Sequence, residues 1–196
     1  MQRHYYKEFK MKQLFLDIET TGFSREWNEI IELAAVLYDD QKQEMIDSFH
    51  MYARPTRGIP SNITELTGIT NEQVSNCKPE WSMLLDFCNW YDDHRAEQII
   101  GHNCKAFDLQ FIQAKCNKYD LHWSGETTEV VDTLAYARKL KKAGLLNTEN
   151  LKQPTIGQFF GINYEAHSAL ADVRALIKIY QKMVACEKPD RSTLGF

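Results

Sequence analysis

Short apolar runs alternate along the chain with helically spaced apolar stripes, and clusters of Pro, Gly and polar residues separate them. Leu14-Phe15-Leu16-Asp17-Ile18-Glu19-Thr20-Thr21-Gly22 opens the pattern as a buried strand carrying two carboxylates. A loop over 22–28 leads to a second strand at 29–38, a hairpin-length gap at 39–42 and a third strand at 45–53. Three consecutive strands with short connections predict an antiparallel meander. Residues 55–69 break the pattern. Thr70 followed by Gln73 then forms a capping box that starts a short helix.

Pro79 reads as the first residue of a helix reaching about His94, with Trp81, Leu84, Leu85, Cys88 and Tyr91 on its core face. Residues 97–102 form a fourth strand, 108–119 a helix through Leu109, Ile112 and Cys116, and 129–132 a fifth strand running into a helix from Thr133. Pro154 starts another short helix after a polar loop. The last helix, about 168–185, presents Leu170, Val173, Ile177, Tyr180 and Val184 as one stripe. A meander followed by alternating helices and strands predicts an α/β fold with a mixed sheet. There are no internal repeats. The expected organisation is an N-terminal extension over 1–12, one domain over 13–186 and a tail over 187–196.

A net charge of −4 gives no global basic field, so a nucleic acid would need a local site or metals to hold it. The five cysteines are irregularly spaced without a CxxC pair, which points to reduced thiols and a cytoplasmic setting, or a nuclear one in a eukaryote. No apolar run approaches membrane-spanning length, so no membrane partner is expected.

The chemistry resides in the acids. Residues two apart on a strand point the same way, so Asp17 and Glu19 project together roughly 6.5–7 Å apart. Desolvating two like charges side by side is unfavourable without a cation, and hard oxygen ligands suit Mg²⁺ or Mn²⁺. Taken alone, the stretch reads equally well as a strand ending in solvent. Asp108 sits where the fourth strand gives way to a helix. Asp172 lies one turn into the last helix, five residues after His167, which pairs a mobile base with an acid on rigid backbone. In isolation Asp172 reads as an acid favoured by the helix dipole, and His167 as a solvated histidine.

Together, Asp17-Ile-Glu19-Thr-Thr-Gly22, Leu66-Thr67-Gly68-Ile69, Gly101-His102-Asn103 with Phe107-Asp108, and His167-Ser-Ala169-Leu170-Ala-Asp172 resemble the DEDDh (DnaQ-like) 3′→5′ exonucleases. The resemblance runs from about Gln13 to Val184 and is nearest to polymerase proofreading subunits and three-prime repair exonucleases. It implies a ribonuclease-H-like α/β domain with a mixed five-stranded sheet flanked by helices. It also implies two divalent cations, Mg²⁺ or Mn²⁺. Asp17 would contact both, Glu19 and Asp172 the first and Asp108 the second, while His167 takes a proton from the attacking water. Thr20, Phe23, Leu66, Asn103 and Phe107 match positions that hold the terminal nucleotide, with core packing the competing reading for Leu66 and Phe107. Three residues separate Asn103 from Phe107, where many polymerase-type members have two, which leaves the loop geometry and the role of Asn103 open.

The implied substrate is a nucleic acid with a free 3′ end, DNA favoured over RNA, with a polymerase or repair partner. The competing readings are an exoribonuclease and a non-catalytic binding module. The basic run Arg138-Lys139-Leu140-Lys141-Lys142 could track phosphates or simply complement a helix terminus.

Overall fold

The computed structural model describes residues 12–187 apart from Glu165 and His167. The expected extension and tail lie outside the described residues, except Lys12 and Glu187, which belong to the first strand and the last helix. Five strands, β1 (Lys12–Thr20), β2 (Ile30–Asp39), β3 (Glu44–Tyr52), β4 (Gln98–Gly101) and β5 (Glu129–Asp132), form one sheet in the order β3-β2-β1-β4-β5. The β1–β2 and β2–β3 pairs are antiparallel, whereas β1–β4 and β4–β5 are parallel. This is the mixed sheet that the pattern predicts.

The helices are α1 (Ser61–Thr67), α2 (Asn71–Val74), α3 (Glu80–His94), α4 (Asp108–Lys118), α5 (Thr133–Lys142), α6 (Gln153–Phe159) and α7 (Ala169–Glu187). The two faces of β1 sort the layers. Leu14, Leu16 and Ile18 pack with Met83, Leu84 and Phe87 of α3 and with Phe111 and Ile112 of α4. Phe15 packs on the opposite face with Val173 and Leu176 of α7. Asp17 and Glu19 have the parity of Phe15, so the period-two alternation turns both carboxylates toward α7. Each fully buried Leu, Ile or Phe contributes about 1.5–3 kcal/mol, so a core of this extent offsets repulsion among acids at its edge.

Three features depart from the sequence reading. Residues 55–69, which break the apolar pattern, contain α1. Pro60 and Gly68 punctuate its two ends, Gly68 taking the left-handed C-terminal conformation at φ 75°. In α3 the inward row is Glu80, Met83, Leu84, Phe87, Cys88 and Tyr91, while Trp81 and Leu85 are 48% and 37% exposed. Buried Glu80 sets that rotation, accepting from Ile30 N (2.7 Å) and the Tyr119 hydroxyl (2.6 Å). In α7 the most buried residues are Ala169, Val173, Ala175, Leu176, Ile179 and Met183. Leu170, Ile177 and Tyr180 flank them, because α7 is covered by the sheet on one side and by α5 and α6 on the other. The capping box forms as expected, with Thr70 Oγ1 accepting from Gln73 N at 3.1 Å. Among the described residues no helix is long and apolar enough to cross a membrane.

Candidate active site

The site lies where β1 and β4 part. Their pairing stops at Phe15 and Ile100, so the next stretch of β1 has no strand on that side. The amino end of α4 enters this notch, and Asp108 Oδ1 accepts the Ile18 amide at 3.1 Å. Gly101 permits the close approach: a Cβ there would lie 2.4 Å from Cys104 Cβ and 3.3 Å from the Leu16 carbonyl oxygen. The following loop is held by Asp132, whose carboxylate accepts from Asn103 N and Lys105 N (both 3.1 Å) while capping α5 through Leu134 N (3.0 Å). Asn103 takes a left-handed conformation, φ 64°, in the longer loop that sequence comparison left open.

Asp17, Glu19 and Asp172 each place one carboxylate oxygen within 4.8 Å of the others. Asp108 lines the same recess of about 210 Å³, with Ile18, His102, Asn103, Phe107 and Gln153. Two roomier clefts, about 390 and 410 Å³, lie beside Tyr91 and His122 and along α4. Neither gathers acids in this way, so chemistry rather than volume marks the site.

Burial pushes the Asp17 carboxyl well above its ordinary value, and Asp108, Asp172, Glu19 and Glu32 push it further. Glu19 is raised to about 8, by burial and then by Glu32, Asp172 and Asp108. Burial also raises Asp108, to about 7, against the opposing pull of its backbone donors. These raised values mark negative charge that nothing in the chain compensates and that a bound cation would: the donor set is all oxygen and close-set, and it fits a hard divalent ion.

The sign of the consequence is fixed. A carboxyl whose folded pKa lies above its unfolded one binds more protons folded than unfolded, so stability falls as pH rises between the two. Without divalent ions, the melting temperature should fall between about pH 4.5 and 8, the span of the Glu19 shift, and saturating Mn²⁺ should flatten that fall. Thermal denaturation across that range, with and without Mn²⁺, checks it; equal slopes in both would contradict it.

Two residues to which the sequence reading gave no role of their own stand beside the acids. Glu32, fully buried on β2, stands opposite Glu19 in register. Its oxygens meet His50 Nε2 (2.7 Å) and the Ala169 amide (3.1 Å), tying the start of α7 to the sheet. A lone charge inside the apolar run Ile30-Ile31-Glu32-Leu33-Ala34 was the available signal. His102 meets the Thr133 hydroxyl through Nδ1 and the Leu151 carbonyl through Nε2, both at 3.0 Å. A carbonyl only accepts, so Nε2 carries a proton, and burial holds the imidazole pKa down. Both ring nitrogens are thereby committed to structure.

Of the residues expected at the nucleotide, Phe107 and Asn103 line the recess. Phe107 meets the exposed Phe23 edge-on at 6.3 Å, with Phe23 82% exposed. Leu66 is also exposed, on α1, so core packing does not explain it. The Thr20 hydroxyl donates to the Gly22 carbonyl (2.6 Å) and shapes the turn outside the recess lining. His167 lies outside the described residues.

An exonuclease family model, RNase_T, matches residues 14–180. The chain belongs to the RNase_T exonuclease family. Among curated relatives, the DNA polymerase III PolC-type protein of Caldanaerobacter subterraneus subsp. tengcongensis is 34% identical over 169 residues, covering 86% of this chain and 11% of the relative. The PolC-type protein of Bacillus subtilis is 33% identical over 175 residues, covering 88% and 11%. The chain thus spans about a ninth of these relatives.

The exonuclease fold is also found in solved structures. The nuclease domain of 3′hExo, a DEDDh member bound to rAMP, superposes with TM-score 0.75 at 20% identity, covering 93% of this chain and 96% of that one. E. coli Exonuclease I in complex with a dA16 oligonucleotide gives TM-score 0.79 at 21% identity, covering 92% and 42%.

Proposed function

We propose that this chain is a metal-dependent 3′→5′ exonuclease that releases nucleoside 5′-monophosphates from single-stranded or frayed 3′ ends of DNA. The observation that carries the reading is the recessed acid cluster, Asp17, Glu19 and Asp172 within 4.8 Å of one another and Asp108 beside them. These four would hold two divalent cations, Mg²⁺ or Mn²⁺. When bound, such ions neutralise the carboxylates and supply positive charge for the attacking and departing oxygens of a phosphodiester.

The chain's own groups do the rest. Asp17, at the centre of the cluster on rigid β1, orients the site. Asp108 is fixed by the Ile18 amide. His167, two residues before the Ala169 amide that Glu32 holds, accepts the proton of the attacking water. Water attacks phosphorus, the bond from phosphorus to the 3′-oxygen breaks, that oxygen takes a proton from solvent to become the new 3′-hydroxyl, and the terminal nucleotide leaves with its 5′-phosphate. Phe23, with Phe107 beside it, offers a ring face to the terminal base, and Leu66 offers an exposed apolar edge.

Stacking of this kind contributes about 1–3 kcal/mol per base. Phe23→Ala should therefore raise KM roughly 5- to 150-fold and weaken any preference for the end base, with less effect on kcat. Because Phe23 is exposed, stability should not change; wild-type kinetics would make it a spectator.

The DNA assignment draws support from the polymerase relatives, and the reading extends to a DNA polymerase as partner. Matched DNA and RNA oligonucleotides of one sequence test it. Faster shortening of DNA is expected, and faster shortening of RNA would reassign the substrate while keeping the chemistry.

A further inference from the structure

The carboxylate that α7 brings to the site is gripped from behind. Asp172 Oδ1 accepts hydrogen bonds from the Tyr164 hydroxyl at 2.9 Å and from Gln153 Nε2 at 3.0 Å. The same Nε2 also approaches the Tyr164 oxygen and the Asp172 carbonyl, both at 3.0 Å. The partners come from three segments: the first residue of α6, the connection between α6 and α7, and the first turn of α7. None is a neighbour of another in sequence, so tertiary packing alone brings them together.

The packing that does so is visible. Gly157, one turn along α6 from Gln153, lets the chain leading to Tyr164 pass close by: a Cβ there would lie 3.0 Å from the Ile162 carbonyl oxygen and 3.3 Å from Ile179 Cδ1. Gln153 is only 7% exposed, and two residues before it the Leu151 carbonyl is held by His102. The grip on Asp172 is thus anchored to the end of β4 as well as to α6.

We propose that Gln153 and Tyr164 are positioning residues that hold Asp172 in its cation-binding rotamer and thereby set the affinity of the site for divalent cations. This rests on the reading of the acid cluster as a metal site. An aspartate has two side-chain torsions, and rotation about the first would swing the carboxylate away from Asp17 and Glu19, which repel it. Two neutral donors on Oδ1 oppose that swing without adding a charge that would compete with the cation. Partners of this kind, behind a metal ligand, typically contribute 10- to 100-fold in affinity.

The test is Mn²⁺ binding by calorimetry to the wild type and to Tyr164→Phe, Gly157→Ala and Asp172→Asn. Tyr164→Phe keeps the ring and loses one donor. It should bind Mn²⁺ about 10-fold more weakly at an unchanged metal-free Tm. Its metal-activation midpoint should move by the same factor, and kcat should recover at saturating Mn²⁺. A residue needed only for folding would instead lower Tm and kcat at every Mn²⁺ concentration. Gly157→Ala leaves every polar group in place but presses on the Ile162 carbonyl, two residues before Tyr164, and should weaken binding in the same direction.

Wild-type Mn²⁺ affinity in Tyr164→Phe and Gly157→Ala, with binding lost in Asp172→Asn, would overturn the clamp and leave the metal site standing. Undiminished binding in Asp172→Asn would remove the metal-site reading itself, and the clamp with it.

Discussion

Asp17→Asn should abolish divalent-ion-supported hydrolysis while raising the melting temperature of the metal-free protein. The two effects have one cause. Burial first, and then Asp108, Asp172, Glu19 and Glu32, hold the Asp17 carboxyl far from easy ionisation. At neutral pH the folded chain therefore bears a cost that the unfolded chain escapes, either the repulsion itself or the proton uptake that relieves it. An amide of the same shape removes that repulsion and removes a ligand. For a domain of this length each kcal/mol of relief raises Tm by about 2–4 °C. Denaturation in the presence of a chelator, alongside hydrolysis of a labelled oligonucleotide, measures both halves. A lower metal-free Tm would show that the acids are not held under mutual strain.

His167→Ala is expected to reduce kcat by about 10²–10⁴-fold and to leave divalent-ion binding intact, the usual contribution of a general base. The other histidine at the site, His102, has both ring nitrogens engaged by Thr133 and Leu151, so it cannot readily substitute. The imidazole accepts a proton only when neutral, so wild-type activity should rise with pH through the pKa of His167. Water on a divalent ion can titrate in the same range. The discriminating experiment is therefore the rate–pH profile of the alanine variant at saturating metal, where the acidic limb should disappear. The same limb at reduced height would assign His167 to positioning.

The sheet was legible because its signals are local. Period-two alternation and short gaps announced β1, β2 and β3, and Glu129-Val130-Val131-Asp132 marked β5 to the residue. The rotation of α3 was not legible, because it depends on a buried acid, Glu80, that no hydropathy pattern would turn inward. The helix α1 was hidden by the Pro and Gly that bound it.

At the site, the four acids could be read as strand-parity and helix-start positions, and their family order gave them meaning. What stands behind them could not be read so easily. Glu32 and Asp132 had weak signals, a charge within an apolar strand and an aspartate just before a helix. Tyr164 had none, because its contact with Asp172 exists only once α6 and α7 have packed.

Whether these acids form a divalent-metal centre acting from a 3′ end is decided by the products of one reaction series. A single-stranded DNA labelled at its 5′ terminus is incubated with the protein in Mn²⁺, in chelator, and with Asp17→Asn in Mn²⁺. A ladder of labelled products shortening one nucleotide at a time is expected in the first reaction alone. Label released at once as a mononucleotide, internal cuts, or the same ladder in chelator would contradict it.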